Sequence, residues 1–196
     1  MNSTDYIAIA LLGLGLAASS GLNTFLPLLI LALAARLHLF DVQLNGSFAW
    51  LASDAALATL AVATLAEIIG DKVPSVDHAL DVIGTVARPA AGALAAASVF
   101  HDSDPAFAVL LGLIIGAPTA FSFHTAKAAT RATSSVGTLG LLNPVLSFLE
   151  DMAAIVMVFV ALLHPFLVPV FLLAFGFALW KLVKLARQKW RTKAVS

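Results

Sequence analysis

Six stretches of mostly apolar residues follow one another along the chain, and each is long enough to cross a lipid bilayer as a helix. A spanning helix needs about 20 such residues. Short polar linkers rich in turn-forming residues separate the stretches. The pattern predicts an all-α, polytopic transmembrane helix bundle that forms a single membrane domain over residues 1–196. The predicted segments are 6–37, 48–69, 80–100, 106–131, 144–163 and a last one from 165 to about 187.

Two of these segments contain polar runs that predict interrupted helices. The first segment is too long for one straight span and is broken by the polar residues 19–24, whereas the fourth carries a polar run at 122–125. Each half of the chain therefore opens with an interrupted helix and contains three spans. This layout predicts a 3+3 inverted repeat of the halves 1–100 and 105–180. Many secondary transporters are built from such repeats, with their sites at broken helices.

The distribution of Lys and Arg predicts the orientation, because these residues concentrate in cytoplasmic loops. Six of the 11 basic residues lie in the tail 181–196, which places the C-terminus in the cytoplasm. With six crossings the N-terminus is also cytoplasmic, and Lys72, Lys127 and Arg131 fall on the same side. If the two parts of the first segment re-enter instead of spanning, the number of crossings and the side of the N-terminus change.

Composition supports a membrane environment and excludes several classes of function. The chain is 61% apolar and 11% charged, against about 45–50% and 25% in soluble domains. A net charge of zero gives no basic excess for nucleic acid. The absence of cysteine excludes zinc–thiolate sites, and the five histidines lack zinc-ligand spacing. We therefore expect no cofactor, no metal site and no nucleic-acid partner. The expected partners are membrane lipids, with a homodimer left open.

The charges are unevenly distributed, and several fall inside the predicted spans. Residues 1–180 contain all 11 acidic residues but only five basic ones. Each ionisable residue in a span costs about 2.5–3.5 kcal/mol on insertion scales and normally faces the bundle interior. Spacings of three or four residues place many of them on shared helix faces. We predict that a substrate or ion pathway is formed by Asn23, Thr24, Glu67, Asp71, Asp81, Arg88, His124, Lys127, Arg131, Glu150 and Asp151.

These pathway residues have predicted roles, each with a structural alternative. The acidic residues would carry protons or cations, and the basic ones would hold an anionic group. Alternatively, the charges near helix ends reach the membrane interface, and Lys127 and Arg131 are cytoplasmic anchors. Arg88 could form a structural ion pair with Asp81, Glu67 or Asp151. Asn23 and Thr24 could merely satisfy backbone groups freed by the helix break.

The leading functional hypothesis is a small transporter or lipid-handling permease with no catalytic residues. The alternative is a non-transporting membrane scaffold or accessory subunit, in which the same charges form internal ion pairs or partner contacts. A third hypothesis is a membrane enzyme that acts on lipid phosphate. It would need a divalent metal between Asp77 and Asp81.

Several strings in the chain resemble a known family. The strings at 18–27, 67–74, 88–93 and 124–131, followed by Glu150-Asp151, are similar to the bacterial integral membrane proteins grouped as domain-of-unknown-function family 4126. The stretch 71–77 has the Asp-Lys-Val-Pro-x-Val-Asp form typical of such proteins. The resemblance covers nearly the whole chain. It implies a multi-pass protein of the bacterial inner (plasma) membrane and no established activity.

Overall fold

The computed structural model describes residues 3–138 and 143–193, and within these ranges the regular structure is entirely helical. A 3-10 helix at Gly46–Ala52 precedes α3, a π-helical turn at Gly112–Gly116 joins α5 to α6, and a 3-10 turn at Pro165–Leu167 precedes α8. The described α-helices are α1 Ser3–Leu22, α2 Leu26–Arg36, α3 Asp54–Gly70, α4 Pro74–Ser98, α5 Pro105–Leu111, α6 Ala117–Thr138, α7 Asn143–Leu163 and α8 Val168–Lys193.

Among the described residues, four helices are long and apolar enough to cross a membrane. A fifth is added if Gly46–Ala52 and α3, which are bent by 63° at their junction, count as one span. α2 and the stretch Pro165–Ala178 are shorter apolar helices. The all-helical membrane architecture is thus supported with four to five candidate spans, whereas six remains a prediction. The last three residues of the predicted basic tail, 194–196, lie outside the described residues, as does the part of the predicted linker at 139–142.

The first predicted segment folds as two helices. α1 ends at Leu22 and α2 begins at Leu26. Pro27 lies in the first turn of α2, where its missing N–H interrupts no helical hydrogen bond and its fixed φ suits the helix. The first predicted segment is therefore interrupted as expected, but the break lies at residues 23–25, and residues 19–22 of the predicted break are helical.

α1 runs antiparallel to α4. Arg88, near the middle of α4, donates a hydrogen bond to the carbonyl of Gly21 close to the end of α1 (Nη1–O 3.5 Å). Earlier in α1, Gly13 lies against Ala96 in the last turn of α4. α1 therefore passes the end of α4 first and ends deep inside the bundle.

α2 runs back in the opposite direction, antiparallel to α3. Thr24, just before α2, bonds to Glu67 near the end of α3 (N–Oε2 2.9 Å). Arg36, the last residue of α2, pairs with Asp54, the first residue of α3 (2.9 Å). Because the tight turn at 71–73 joins α3 to α4, the start of α3 and the end of α4 lie at one end of the bundle. α1 and α2 thus form a hairpin that enters and leaves at that end. We call it the far end, and the end with the α3–α4 turn the tip end.

The hairpin also determines where the chain ends lie. α8 begins beside α1, where a Cβ on Gly15 would lie 3.0 Å from Val168. Further along, Phe175 stacks on Phe123 of α6 with ring centroids 5.5 Å apart, so α8 runs towards the tip end. Ser3 and the end of α8 therefore lie at opposite ends. The predicted placement of both termini on one side does not fit this arrangement, because it required the first segment to cross once.

The fourth predicted segment is irregular at a different place from the one expected. The helix continues through 122–125, because the hydroxyls of Ser122 and Thr125 bond to carbonyls of their own helix at 2.8 and 2.9 Å. The π-helical turn precedes Pro118, whose ring nitrogen cannot donate to the carbonyls one turn earlier. The second half therefore has no counterpart of the α1–α2 break within α6, and the inverted repeat remains a prediction.

Small residues let α4 and the π-helical turn before α6 approach closely beside α1. A Cβ on Gly116 would lie 2.3 Å from the carbonyl oxygen of Gly92, and one on Gly112 would lie 2.3 Å from that of Ala93. Such contacts leave no room for a larger side chain, as is usual where membrane helices pack. One of the buried apolar clusters lies towards the far end, where α1, α2, α4 and α7 meet around Leu16.

The hairpin predicts which exposed positions share a membrane face. Because the chain lacks cysteine, single cysteines at Ser3, Asp102 and Val73 can each be labelled with a membrane-impermeant maleimide in sealed vesicles. We expect Ser3→Cys and Asp102→Cys to react from one side and Val73→Cys from the other, with the unsubstituted chain as the blank. Labelling of Ser3→Cys and Val73→Cys from the same side would contradict the hairpin.

Candidate functional site

All eleven predicted pathway residues lie in one cluster around the hairpin tip, which we define as residues 21–25. The cluster also includes three residues that the pathway prediction omitted: Lys72, Asp77 and Thr85. It draws side chains from α3, α4, α6 and α7, so the tip is where most of the bundle meets. We call this set of fourteen residues the ionic cluster; its members are connected by the contacts described below.

The end of α1 carries two cations. Lys127 donates to the carbonyl of Leu22 (Nζ–O 3.0 Å), and Arg88 donates to that of Gly21. The last carbonyls of a helix have no partner within the helix and carry partial negative charge. The two cations satisfy this helix end inside the protein, where water would otherwise be needed.

The start of α2 carries an anion. The carboxylate of Glu67 accepts hydrogen bonds from the backbone N–H of Thr24 at 2.9 and 3.0 Å, from the Thr24 hydroxyl at 2.8 Å and from the N–H of Phe25 at 3.3 Å. The Asn23 amide oxygen accepts from the N–H of Leu26 at 3.1 Å. A carboxylate at a helix N-terminus matches its partial positive charge. The break therefore has opposite charges on its two sides.

Arg88 links the tip to α6. Its side chain is fully buried, donates to Glu67 Oε1 at 3.3 Å and contacts Nδ1 of His124 at 2.9 Å. A guanidinium can only donate, so Nδ1 of His124 must be the acceptor and its proton lies on Nε2. Nε2 in turn lies 3.3 Å from the hydroxyl of Thr85, which donates to the backbone carbonyl of Asp81. The contacts thus require a neutral His124.

Lys127 and Arg131 bind three carboxylates nearer the tip end. Asp71 Oδ2 lies 2.7 Å from Lys127 Nζ and 3.2 Å from Arg131 Nη2. Glu150 Oε2 lies 2.7 Å from Arg131 Nη2, and Asp77 pairs with Arg131 Nη1. Asp71 lies just past the last residue of α3, outside the candidate spans. Burial by itself raises the pKa of Asp71, but Lys127 and Arg131 outweigh burial and hold the pKa below its ordinary value.

A third set of contacts, centred on Asp151, connects the tip to α7. The Asn23 amide donates to Asp151 Oδ1 at 3.0 Å, and Lys72 lies 3.4 Å from Asp151 Oδ2. The Lys72 side chain is 38% exposed, so this group lies closer to the surface than Arg88. Asn23 therefore bonds to the backbone of α2 through its oxygen and to α7 through its nitrogen.

The cluster contains more acidic than basic groups. Among the described residues it holds six carboxylates against four cations, with His124 neutral, which leaves a surplus of two negative charges. Asp71 Oδ1, Asp81 Oδ1 and Arg88 Nε are buried without a hydrogen-bond partner. The six carboxylates are Glu67, Asp71, Asp77, Asp81, Glu150 and Asp151, and the four cations are Lys72, Arg88, Lys127 and Arg131.

The structure decides between several of the alternatives drawn from the sequence. Arg88 pairs with Glu67 at 3.3 Å and lies 3.9 Å from Asp81, whereas Asp151 bonds to other groups. Lys127 and Arg131 are 2% and 3% exposed, so they are not interfacial anchors. The face shared by Asp77, Asp81, Thr85 and Arg88 on α4 was the signal that could have added Asp77 and Thr85 to the predicted pathway.

The described residues offer no group of three or more His, Asp or Glu side chains placed to hold a metal ion. Asp77, which the lipid-phosphate hypothesis assigned to a divalent metal, is paired with Arg131 instead.

Comparison with known proteins finds a family but no characterised relative. No curated protein and no solved structure matches the chain. The family model described as domain of unknown function DUF4126 matches residues 10–185, a range that contains the hairpin tip and every residue of the ionic cluster. The resemblance inferred from the sequence strings is therefore confirmed, and the chain belongs to the DUF4126 family.

Proposed function

We propose that this protein is an integral membrane transporter in which protons or monovalent cations move past the carboxylates at the hairpin tip. One arrangement carries the proposal, a buried ionic cluster with surplus negative charge whose side chains neutralise both helix ends at the tip. Secondary transporters place substrate and ion sites at such broken helices. Ionisable groups at this depth are expensive, and a transport pathway is a common reason for them.

The contacts favour a cation over an anion as the transported or coupling species. The sequence predicted that Arg88, Lys127 and Arg131 hold an anionic group, but each is bonded to carboxylates of the protein itself. An anion would have to displace one of these carboxylates. A proton or cation, by contrast, would compensate the surplus charge and could use the unpartnered oxygens of Asp71 and Asp81.

We also propose that the tip end faces the cytoplasm of an inner (plasma) membrane. Lys72, Lys127 and Arg131 lie towards that end, and α8 runs there with the basic tail. Ser3 would then face the opposite side. Membrane lipids are the partners that the proposal requires. It assigns no chemical reaction to the cluster, and a homodimer and the inverted repeat remain predictions.

Flux measurements in proteoliposomes test the proposal. Purified protein is reconstituted, a potential is imposed with potassium and valinomycin, and internal pH is followed with a trapped dye, with and without sodium. We expect proton or sodium flux above that of empty liposomes. In Glu67→Gln the flux should fall by about tenfold or more, because a charge-assisted hydrogen bond contributes roughly 1.5–3 kcal/mol.

The matched control is Asp54→Asn. Asp54 is an exposed acidic residue that pairs with Arg36 at the far end. The flux of the Asp54→Asn variant should therefore equal that of the wild type. If neither protons nor sodium move, or if Glu67→Gln and the wild type have equal flux, the proposal fails.

The second candidate is a scaffold or accessory subunit, and the pairing of the buried charges favours it. Arg88, Lys127 and Arg131 each bind at least one carboxylate within 3.3 Å, as expected where charges serve structure alone. This candidate predicts no flux, together with a protein that copurifies stoichiometrically from membranes. The loss of that partner in Lys72→Ala, which changes the most exposed cation of the cluster, would support it.

A further inference from the structure

We infer that His124 accepts the coupling proton, and that its protonation transfers Arg88 from the hairpin tip to Asp81. The role in transport rests on the proposed function. The transfer itself rests on the contacts of Arg88 alone.

The present position of Arg88 depends on neutral His124. Of its acceptors, His124 Nδ1 at 2.9 Å is closer than Glu67 Oε1 at 3.3 Å and the carbonyl of Gly21 at 3.5 Å. Protonation would convert Nδ1 from an acceptor into an N–H donor that faces the guanidinium. The shortest contact of Arg88 would then become a repulsion between two cations.

A second acceptor for Arg88 lies close by. Asp81 Oδ1 is buried, has no hydrogen-bond partner and lies 3.9 Å from Arg88 Nη1. A movement of about 1 Å would bring the pair to ordinary hydrogen-bond distance. Gly84 leaves room beside the guanidinium, because a Cβ there would lie 3.1 Å from Arg88 Nε. Burying an acceptor without a partner is unfavourable, and the transfer would give Asp81 Oδ1 a partner.

The groups around His124 allow the imidazolium to take the place of the Arg88 guanidinium beside the tip. α4 presents Arg88 and Asp81, α6 contributes Lys127 one turn further on, and α3 contributes Glu67 behind Arg88. α1 contributes the backbone carbonyl of Gly21. Once Arg88 neutralises Asp81, the imidazolium becomes the positive group beside the tip. Protonation and the movement of Arg88 therefore support each other.

The transfer would act on the hairpin. Arg88 holds both Glu67 and the carbonyl of Gly21, on the two sides of the α1–α2 break. When it leaves, the tip keeps the bonds of Lys127 and Glu67 but loses the group that connects them to α4. Proton uptake at His124 would thus loosen the tip.

A fluorine probe at the tip tests this inference without measuring transport. Phe25 is partly exposed at the tip, and only its backbone contacts Glu67. A trifluoromethyl label on Phe25→Cys in the otherwise cysteine-free chain is followed by 19F NMR in nanodiscs from about pH 8 to about pH 5. We expect two resonances whose ratio changes with pH.

Three variants separate the residues involved. His124→Gln keeps an acceptor for Arg88 but cannot be protonated, so the ratio should not change with pH. His101→Gln, which alters a histidine paired with Asp102 at the far end, should respond as the wild type does. Asp81→Asn should reduce the acid-state resonance by about tenfold, the equivalent of about 1.4 kcal/mol.

The outcomes distinguish this inference from the proposed function. A wild type without pH response, or the same response in His124→Gln, overturns the proton site. An unchanged acid state in Asp81→Asn overturns the transfer of Arg88. A pH response that His124→Gln abolishes, in a protein without flux, would support the switch while the transport proposal fails.

Discussion

Replacing Arg88 with methionine is expected to lower the free energy of unfolding by roughly 3–5 kcal/mol, the cost of breaking a buried ion pair by removing one partner. Arg88 is fully buried and is the only cation within 4 Å of the Glu67 carboxylate among the described residues. Without it, Glu67 becomes a buried charge that is balanced only by the helix end and hydroxyl it bonds. The change can be measured by denaturant unfolding of the protein in detergent micelles.

A second substitution distinguishes this loss from a simple packing defect. In Arg88→Met/Glu67→Gln the buried charge is removed, while the amide oxygen can still accept from Thr24 and Phe25. We expect the double variant to recover about half of the lost stability or more. The control is Arg36→Met, which breaks an exposed ion pair and should lower the free energy of unfolding by only about 0–1 kcal/mol. A double variant no more stable than Arg88→Met would contradict the pairing.

The apolar pattern predicted the helices well because the bilayer requires long apolar segments. Residue spacing also predicted which charges point to the same side: Lys127 and Arg131 are four apart on one face of α6, and Asp71 lies one turn beyond Glu67, just past the end of α3. Spacing works here because a helix fixes the direction of each side chain. Every residue of the predicted pathway consequently lies in the ionic cluster.

The path of the hairpin could not be derived in the same way. A polar break at 19–24 has the same hydropathy whether the chain continues across the membrane or turns back. The difference lies in pairs far apart in sequence, such as Thr24 with Glu67. In α6 the predicted interruption at 122–125 was wrong because the hydroxyls of Ser122 and Thr125 bond to carbonyls of the same helix. The helix therefore continues through these polar side chains.

The hairpin gives the ionic cluster a structural reason to be buried. A chain that reverses inside a membrane must satisfy the free carbonyls of one helix and the free N–H groups of the next. Arg88 and Lys127 satisfy the former, while Glu67 and Asn23 satisfy the latter. These bonds account for four residues of the cluster. They do not account for Asp77, Asp81 and Glu150, which contact no backbone group of the tip in the described contacts.

Arg131 compensates this excess of acidic groups. Replacing it with methionine is expected to lower the free energy of unfolding by roughly 3–5 kcal/mol or more. It contacts Asp71, Asp77 and Glu150 at once. Removing it would leave Lys127 as the remaining cation within 4 Å of Asp71 and Glu150 among the described residues. Unfolding in micelles measures the loss, and adding Glu150→Gln should restore part of it.

Arg131→Lys separates a structural role from simple anchoring. A lysine keeps the charge but not the planar fork that binds several carboxylates at once, so this variant should lose a large part of the stability that Arg131→Met loses. Lys184→Met, which changes an exposed cation lying 5.0 Å from the ring centroid of Trp180, should cost about 0–1 kcal/mol. If Arg131→Lys were as stable as the wild type, positive charge alone would be what this position requires. The acidic surplus around it would then have to be balanced from outside the cluster.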